Sequence, residues 1–278
     1  MTYTGPFRAA RFASPVAWLN SRLLMLRAGV DTSTHLPWCS NVPTYYHDAD
    51  CYALVGWRGR VGYHSGSAGE VVLIDIDYIL ERNRAWAERR IRADPELFRR
   101  LAKGQQPEML WIGCSDSRVS PNLIMDLSPG DMLVHRNVAN LVIPSDRSLL
   151  SVLQFAVEVL SVRRVVVCGH YGCAGVDAFL NANLGGPAED WLDNLYPVTR
   201  AYRSDLADLQ GEPLAQRLCE LSVVDQVRKV SAIDIVRDAW RAGADLEIHG
   251  LVYRIDNGRL RPLCHQTAGG PLRLDRAR

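Results

Sequence analysis

The sequence predicts an α/β fold: a mainly parallel β-sheet with helices on both faces and an antiparallel hairpin at its C-terminal edge. Three observations predict it. Short apolar stretches alternate with helical ones from residue 71 onward, which is the order of strands joined by helical crossovers. The stretch RRVVVCGH at 163–170 contains a continuous valine run, typical of a strand buried on both faces. Asn257 and Gly258 precede the stretch RLRPL and indicate a two-residue hairpin turn.

Two helices open the regular part of the chain. Residues 76–91 place apolar side chains at intervals of four, seven and four, which is one face of a helix; these side chains are Ile76, Leu80, Ala87 and Ile91. Asp94 then predicts the N-cap of a second helix, Pro95 its first position and Gly104 its stop.

The remaining elements follow from pattern and punctuation. Strands are expected at 108–114 (EMLWIGC), 131–135 (DMLVH), 163–170 and 245–256 (DLEIHGLVYRID). Helices are expected at 120–127, 146–160, around 187–209 and around 213–241. Ser120 and Pro121 mark the start of the first of these helices.

The composition is that of an ordinary globular protein. Of 278 residues, 47% are hydrophobic and 23% charged, and 32 basic residues stand against 31 acidic ones. This balance gives no argument for a nucleic-acid or membrane partner, and no apolar run reaches the ~18 residues of a membrane span. The N-terminus lacks the pattern of a secretory signal, and the seven cysteines form no regular framework. We therefore expect a cytoplasmic protein.

Residues 1–70 differ from the rest of the chain. They carry scattered Pro, Gly, Ser and Trp without a sustained period, and they end in the linker-like HSGSAGE at 64–70. We interpret them as an N-terminal extension that is either poorly ordered or translated from upstream of the true start, and we favour the second interpretation. Residues 71–278 form the predicted domain.

Three side chains at two predicted strand ends indicate a metal site. Cys114 ends one strand and His170 ends the valine-rich strand, with Cys173 three residues later. Sites in open α/β sheets form outside the carboxyl ends of parallel strands, so these residues can meet. Two thiolates and an imidazole suit Zn²⁺, and three protein ligands leave the open fourth position of a catalytic zinc.

Cys168 is the alternative fourth ligand, because it lies two residues before His170 and could share its face of the strand. Strand residues two apart are separated by ~7 Å, and the preceding valines indicate a packed position. We therefore expect Cys168 to lie outside the metal site. The other cysteines are interpreted as small core hydrophobes: Cys39, Cys51, Cys219 and Cys264.

Asp116 and Arg118 form a second informative pair. A carboxylate two residues from a zinc thiolate could itself occupy the open position, and a bidentate guanidinium can hold it away and fix its direction. Its free oxygen could then accept the proton of a zinc-bound hydroxide. The alternative is a surface ion pair worth ~0–1 kcal/mol.

These motifs resemble those of a known family. The blocks CSDSRV, HRNVAN and CGHYGCAGV are similar in order and spacing to the signature blocks of the β-class carbonic anhydrases, and the likeness runs from about residue 72 to about 264. The resemblance implies the β-carbonic anhydrase fold and one Zn²⁺ per subunit. In that family the zinc ligands and the catalytic dyad correspond here to Cys114, His170 and Cys173, and to Asp116 and Arg118.

The resemblance also implies a substrate pocket. Gln105, in KGQQP, matches a pocket glutamine of the family. Leu133 stands where many members have a phenylalanine that lines the pocket, and Val138 is a further candidate for the lining. Ala174 replaces a common glycine, a change that the start of a helix should tolerate.

Trp111, Arg136 and Tyr253 match the residues that mark a bacterial, bicarbonate-gated variant of the family. By resemblance they hold a non-catalytic bicarbonate, which stabilises an inactive state in which Asp116 takes the open zinc position. An arginine fork and two aromatic donors could hold such an anion. The alternative is that Trp111 and Tyr253 are core aromatics.

The implied activity is the reversible hydration of carbon dioxide to bicarbonate and a proton through zinc-bound hydroxide. Two alternatives stay open: a non-catalytic zinc module or bicarbonate sensor, and hydrolysis of carbon disulfide. The resemblance also implies a homodimer or a dimer-of-dimers tetramer, for which the helix at 76–91 could supply an arm. His135 is a candidate proton shuttle by residue type, with a structural role as the alternative.

Overall fold

The computed structural model describes residues 75–181 and 184–275, and the prediction for residues 1–70 lies outside these ranges. The strands are β1 (Met109–Cys114), β2 (Met132–Asn137), β3 (Arg164–His170), β4 (Glu247–Arg254), β5 (Arg259–Gln266) and β6 (Arg273–Leu274). They form one sheet in the order β2-β1-β3-β4-β5-β6. The first four strands pair in parallel, and β5 and β6 continue the sheet antiparallel. The predicted α/β fold with an antiparallel C-terminal edge is confirmed.

Helices connect and cover these strands. In chain order they are α1 (Ile76–Ala93), α2 (Leu97–Leu101), α3 (Pro121–Ile124), α4 (Arg147–Gln154), α5 (Ala174–Asn181), α6 (Pro187–Leu192), α7 (Tyr196–Ala201), α8 (Arg203–Leu206), α9 (Gly211–Ala232) and α10 (Asp234–Arg241). Short 3₁₀ turns cover Val138–Asn140 and Asp193–Leu195, and a π-helical segment, Phe155–Val159, continues α4. Among the described helices, none is both long and apolar enough to cross a bilayer.

Several predicted helical stretches are shorter or more broken than their patterns indicated. The stretch 213–241 is divided into α9 and α10 at Ile233, whose backbone is extended. α3 covers only the first half of 120–127, because Asp126 takes a left-handed backbone with φ 53°, which a right-handed helix cannot include. The stretch 187–209 is divided into α6, α7 and α8. Pro197 lies in the first turn of α7, and its missing N–H cannot continue the preceding turn.

Two predicted details are wrong: the start of the second helix and the length of the hairpin turn. Asp94 does not cap a helix that begins at Pro95: its carboxylate accepts a hydrogen bond from the backbone N–H of Glu96, and α2 begins at Leu97. The hairpin between β4 and β5 closes with Arg254 opposite Arg259. Residues 255–258 therefore form a four-residue loop and not a two-residue turn.

The main core lies between the sheet and the helices α4, α9 and α10. It combines alternate strand side chains with one face of α9, and includes Leu110, Ile112, Val165, Val167, Ile248, Val223, Val227 and Val230. The opposite face of the sheet packs against α3 and its flanking residues, through Trp111, Val119, Val166, Cys168 and Tyr253. A third cluster closes the carboxyl edge of the sheet under α5 to α9.

α1 confirms the helix predicted at 76–91, and Asp75 caps it by accepting a hydrogen bond from the N–H of Asp77. No residue of α1 is buried. Its apolar side chains Ile76, Leu80 and Ile91 are 63%, 49% and 46% exposed in the single chain. The amphipathic face therefore has no covering surface among the described residues.

Candidate metal centre

The carboxyl ends of β1 and β3 bring together the three side chains that the sequence indicated. Cys114 is the last residue of β1 and His170 the last of β3, and Cys173 lies directly before α5. One donor atom from each of the three lies within 4.8 Å of the others, and all three residues are buried. Parallel pairing of β1 and β3 produces this meeting, because it puts both carboxyl ends at one edge.

The two thiols of this cluster are close enough to form a hydrogen bond. The Sγ atoms of Cys114 and Cys173 are 3.8 Å apart. The pKa of Cys114 is lowered, chiefly because the Cys173 thiol donates to its sulfur, and the same hydrogen bond raises the pKa of Cys173. This hydrogen bond favours a thiolate at Cys114, and a cation between the two sulfurs would replace the proton between them.

His170 supplies the test of whether a metal fits. Its side chain is fully buried, and its Nδ1 lies 3.1 Å from the carbonyl oxygen of Tyr171. Its Nε2 has no hydrogen-bond partner among the described residues, although leaving such an atom unpaired costs about 1–3 kcal/mol. A zinc ion bound to Nε2 and the two sulfurs would satisfy it, and this soft donor set suits Zn²⁺.

Cys168 lies outside the cluster, as expected. Its thiol donates to the carbonyl oxygen of Gly169 at 3.2 Å, it packs beside Trp111 in the core of the opposite sheet face, and burial raises its pKa well above the usual value. Within the described residues the candidate metal group has three members. Three protein donors leave room for a fourth, non-protein ligand.

Asp116 and Arg118 form a bidentate pair at the rim of the cluster. Arg118 Nε donates to Asp116 Oδ1 at 2.9 Å and Nη2 to Oδ2 at 2.7 Å, and the backbone N–H of Arg118 also donates to Oδ1. These bonds lower the pKa of Asp116 to about 2. Oδ2 lies 3.8 Å from His170 Nε2, so an ionised carboxylate faces the position where a metal would bind.

Several contacts that complete this site are absent from the predictions made from the sequence. Arg118 Nη2 also donates to the carbonyl oxygen of Gly172 at 2.9 Å, and Gly172 has a left-handed backbone with φ 63° that favours glycine. The thiol of Cys219, interpreted only as a core hydrophobe, donates to the carbonyl oxygen of His170 at 2.9 Å. The motif GHYGC could have indicated the special role of Gly172, but nothing in the pattern pointed to Cys219.

The predicted pocket residues are divided between the two ends of the sheet. Val138 lies at the carboxyl edge, 42% exposed, and its side chain approaches Gly175 at the start of α5. Gln105 precedes the amino end of β1, and at about 3.3 Å per residue the six-residue strand puts roughly 17 Å between its ends. Leu133 lies near the beginning of β2 and packs against the main core. Within a single chain, neither Gln105 nor Leu133 lies beside the candidate metal group.

The three residues of the predicted bicarbonate site lie on three strands of the sheet: Trp111 on β1, Arg136 on β2 and Tyr253 on β4. Trp111 and Tyr253 belong to the same buried cluster, and Trp111 Nε1 has no hydrogen-bond partner among the described residues. Arg136 Nε donates to the carbonyl oxygen of Cys114 at 2.8 Å and its Nη2 to that of Asp116 at 2.7 Å.

His135 is buried, and burial lowers its pKa, which favours the structural role over that of a proton shuttle.

A parallel α/β sheet with a buried Cys-His-Cys group at its carboxyl edge defines the class of this protein: a metalloenzyme of the zinc type. Residues 109–260 match the sequence family described as carbonic anhydrase. A carbonic anhydrase of Emericella nidulans is 43% identical over 189 residues, which cover 67% of this chain and 82% of that protein.

Solved structures agree with this match. A Coccomyxa β-carbonic anhydrase, solved with acetazolamide, has a TM-score of 0.68 at 35% identity and covers 70% of this chain and 90% of its own. A tetrameric β-carbonic anhydrase of Sordaria macrospora has a TM-score of 0.65 at 37% identity, over 68% of this chain and 98% of its own. The chain belongs to the β-carbonic anhydrase family and is a carbonic anhydrase. The relatives are mostly fungal, so they show the family, and the gated bacterial variant stays a prediction.

Proposed function

We propose that this enzyme catalyses the reversible hydration of carbon dioxide to bicarbonate and a proton, with one zinc held by Cys114, His170 and Cys173. The observation that carries the proposal is the meeting of these three buried donors beside a carboxylate that Arg118 holds in place. Zinc bound there would act as a Lewis acid and bring the pKa of a coordinated water down towards neutrality. The protein side chains would hold the ion, leave its fourth position to a non-protein ligand and orient the reacting water.

Asp116 is the proposed orienting residue. Its pKa of about 2 keeps it a carboxylate at neutral pH, so it can only accept hydrogen bonds. Arg118 occupies both of its oxygens and draws it away from the cluster. A remaining lone pair on Oδ2 can accept the proton of the reacting water and so direct the lone pair of that water towards carbon dioxide.

The complete pocket is proposed to include residues of two subunits. Gln105 and Leu133 lie away from the cluster of their own chain, whereas Val138 lies beside it. In a dimer the partner subunit's Gln105 could face the cluster. The tetrameric Sordaria macrospora relative and the exposed apolar face of α1 support self-association.

We also propose that bicarbonate inhibits the enzyme at a site formed by Trp111, Arg136 and Tyr253. The unpaired, buried Nε1 of Trp111 supports this proposal, as do the bonds from Arg136 to the backbone of Cys114 and Asp116. Through those bonds an anion that pulls on Arg136 would shift the segment that carries Asp116.

Bicarbonate should inhibit carbon dioxide hydration by the native enzyme, and Trp111→Phe, which removes only the indole donor, should weaken that inhibition. If bicarbonate inhibits the wild type and the Trp111→Phe variant equally, Trp111 and Tyr253 are core aromatics.

The location proposed from the sequence is the cytoplasm. The five cysteines of the described residues are all free thiols, and free thiols persist in a reducing compartment.

Stopped-flow carbon dioxide hydration tests the proposed chemistry. Asp116→Asn should lower kcat by about 100-fold, because the amide no longer offers an ionised acceptor, while zinc content stays at one per chain. Asp238→Asn, which breaks an exposed ion pair with Arg241 on α10, serves as the matched control and should leave kcat unchanged.

Two results would contradict the proposal. Zinc-loaded wild type that is no faster than the metal-free protein would remove hydration of carbon dioxide as the function. An Asp116→Asn variant with the wild-type rate would remove Asp116 from the mechanism and leave the rest standing.

A further inference from the structure

His170 can offer Nε2 to a metal only when its proton lies on Nδ1. Nδ1 is 3.1 Å from the carbonyl oxygen of Tyr171, and this acceptor fixes the tautomer, as the second nitrogen of a metal-binding histidine usually requires. The orientation of the imidazole therefore depends on the position of one peptide carbonyl. That peptide belongs to a residue whose own side chain is strongly restrained.

Tyr171 is held at its backbone, its hydroxyl and its ring. Its backbone N–H donates to the carbonyl oxygen of Tyr253 at 3.1 Å. Its hydroxyl donates to Glu220 Oε1 at 2.6 Å and accepts from Arg261 Nη2 at 2.6 Å. The guanidinium of Arg254 lies 5.8 Å from the ring centroid.

Glu220 is the centre of this arrangement. Besides the tyrosine hydroxyl it accepts charge-assisted hydrogen bonds from Arg217 Nη1 at 3.0 Å and from Arg261, and its side chain is only 19% exposed. The neighbouring residue, Cys219, donates its thiol to the carbonyl oxygen of His170. One turn of α9 thus contacts His170, the last residue of β3, and Tyr171, which follows it, while β5 contributes Arg261.

We propose that Glu220 and Arg261 are positioning residues for the metal ligand His170 and act through Tyr171. They hold the phenol, and with it the Tyr171 peptide, where its carbonyl accepts the Nδ1 proton and leaves Nε2 to face the two thiols. The inference rests on the proposed zinc-dependent function. When the phenol is released, the carbonyl loses its fixed place, His170 reorients more freely and zinc leaves faster.

The rate of zinc transfer from the loaded enzyme to a chromogenic chelator tests this inference. Tyr171→Phe and Glu220→Leu should each release zinc about 10-fold faster than wild type, the lower end of the effect expected for outer contacts to a ligand. Glu220→Gln keeps an acceptor for the hydroxyl and should fall between Glu220→Leu and wild type. Glu212→Leu, which removes an exposed carboxylate from the first turn of the same helix, is the matched control and should release zinc at the wild-type rate.

The double variant Tyr171→Phe/Glu220→Leu separates positioning from general loosening. Residues that act through one another are not additive, so the double variant should release zinc no faster than the faster single variant. The visible spectrum of the Co²⁺-substituted protein should change in the same variants, since it reports ligand geometry directly. The metal-free variants are compared by thermal unfolding, and those that remain folded are used.

The positioning role and the hydration of carbon dioxide fail on different results. Folded variants that hold one zinc and release it within twofold of the wild-type rate would overturn the positioning role, and so would additive effects in the double variant. Wild type that binds no zinc would overturn both proposals. Wild type that binds one zinc without hydrating carbon dioxide, with faster release from the variants, would support the positioning role and overturn only the proposed function.

Discussion

The unpaired Nε2 of His170 is the residue-scale feature that explains most about this site. A fully buried nitrogen without a partner among the described residues destabilises the metal-free fold by about 1–3 kcal/mol. The thiol of Cys173 donates to Cys114 and lowers the pKa of Cys114, which favours a thiolate there. Both features are relieved by a cation at the same point. The site is therefore arranged for a metal at some cost to the protein without it.

The distinction between Cys168 and Cys173 gives a prediction at this scale. Cys173→Ala removes a donor from the cluster, so zinc content measured by elemental analysis should fall well below one per chain. Cys168→Ala removes a thiol that donates to the Gly169 carbonyl and lies outside the candidate metal group, so zinc content should stay at one. Loss of zinc from the Cys168 variant, in protein that remains folded, would mean that Cys168 is a fourth ligand.

The ligands could be predicted from the sequence, and their supports could not. Cys114, His170 and Cys173 each stand at a recognisable strand end, and parallel strands bring such ends together. Tyr171 and Glu220 are 49 residues apart and the tyrosine and Arg261 are 90 apart, and no motif links them. Their contact depends on how α9 docks on the sheet, which is decided by packing across the whole core.

At the scale of elements, α9 is the helix that fixes the geometry of the sheet. Its residues Val223 and Val227 pack directly over Gly250 of β4, where an added Cβ would lie 3.0 Å and 3.1 Å from their side chains and 2.7 Å from Cys264 Sγ. The same helix carries Cys219 and Glu220 to the end of β3. Close packing of α9 on β4 therefore sets where its functional turn lies.

Gly250→Ala tests this close packing. The extra methyl group should lower the free energy of unfolding by about 1–3 kcal/mol through overpacking, as measured by chemical denaturation. Gly185→Ala is the matched control, because a Cβ there meets no atom within 4 Å, and it should change stability by less than about 0.5 kcal/mol. Equal stability of the two variants would show that α9 can shift without cost.

Element types followed from the sequence better than element ends. The valine-rich strand and the helix at 76–91 are confirmed because each pattern is long and regular. The helix expected at 146–160 changes to a π-helical segment after Gln154, where Leu160 N–H reaches back to Phe155. A single-residue change of hydrogen-bond register leaves almost no trace in a hydrophobic pattern, so it could not be read from the residues alone.

At the scale of the whole molecule, the separation of Gln105 from the cluster of its own chain makes a two-subunit site testable. In a mixed dimer of a Gln105→Ala subunit and an Asp116→Asn subunit, one of the two sites would combine an intact cluster with an intact glutamine from the other chain. Co-expressed, doubly tagged heterodimers should recover about half of the wild-type kcat, because one of two sites is complete.

The homodimers of each variant are the controls and should both be impaired. If Gln105 served its own chain, the mixed dimer would contain no complete site and would recover nothing. Recovery of activity is therefore the result that a single-chain pocket cannot produce.

Arg118 links the segments that follow β1 and β3. It donates hydrogen bonds to Asp116 after β1 and to the carbonyl oxygen of Gly172 after β3. The polypeptide alone thus draws these donors together, and little ordering is left for the ion to do. A metal site that is already formed in the metal-free chain cannot discriminate between ions by whether the chain folds around them. Cu²⁺ exceeds Zn²⁺ in intrinsic affinity for most such donor sets. Which ion the enzyme carries therefore depends on the cell's supply of metals as well as on the two thiolates and the imidazole, which favour Zn²⁺.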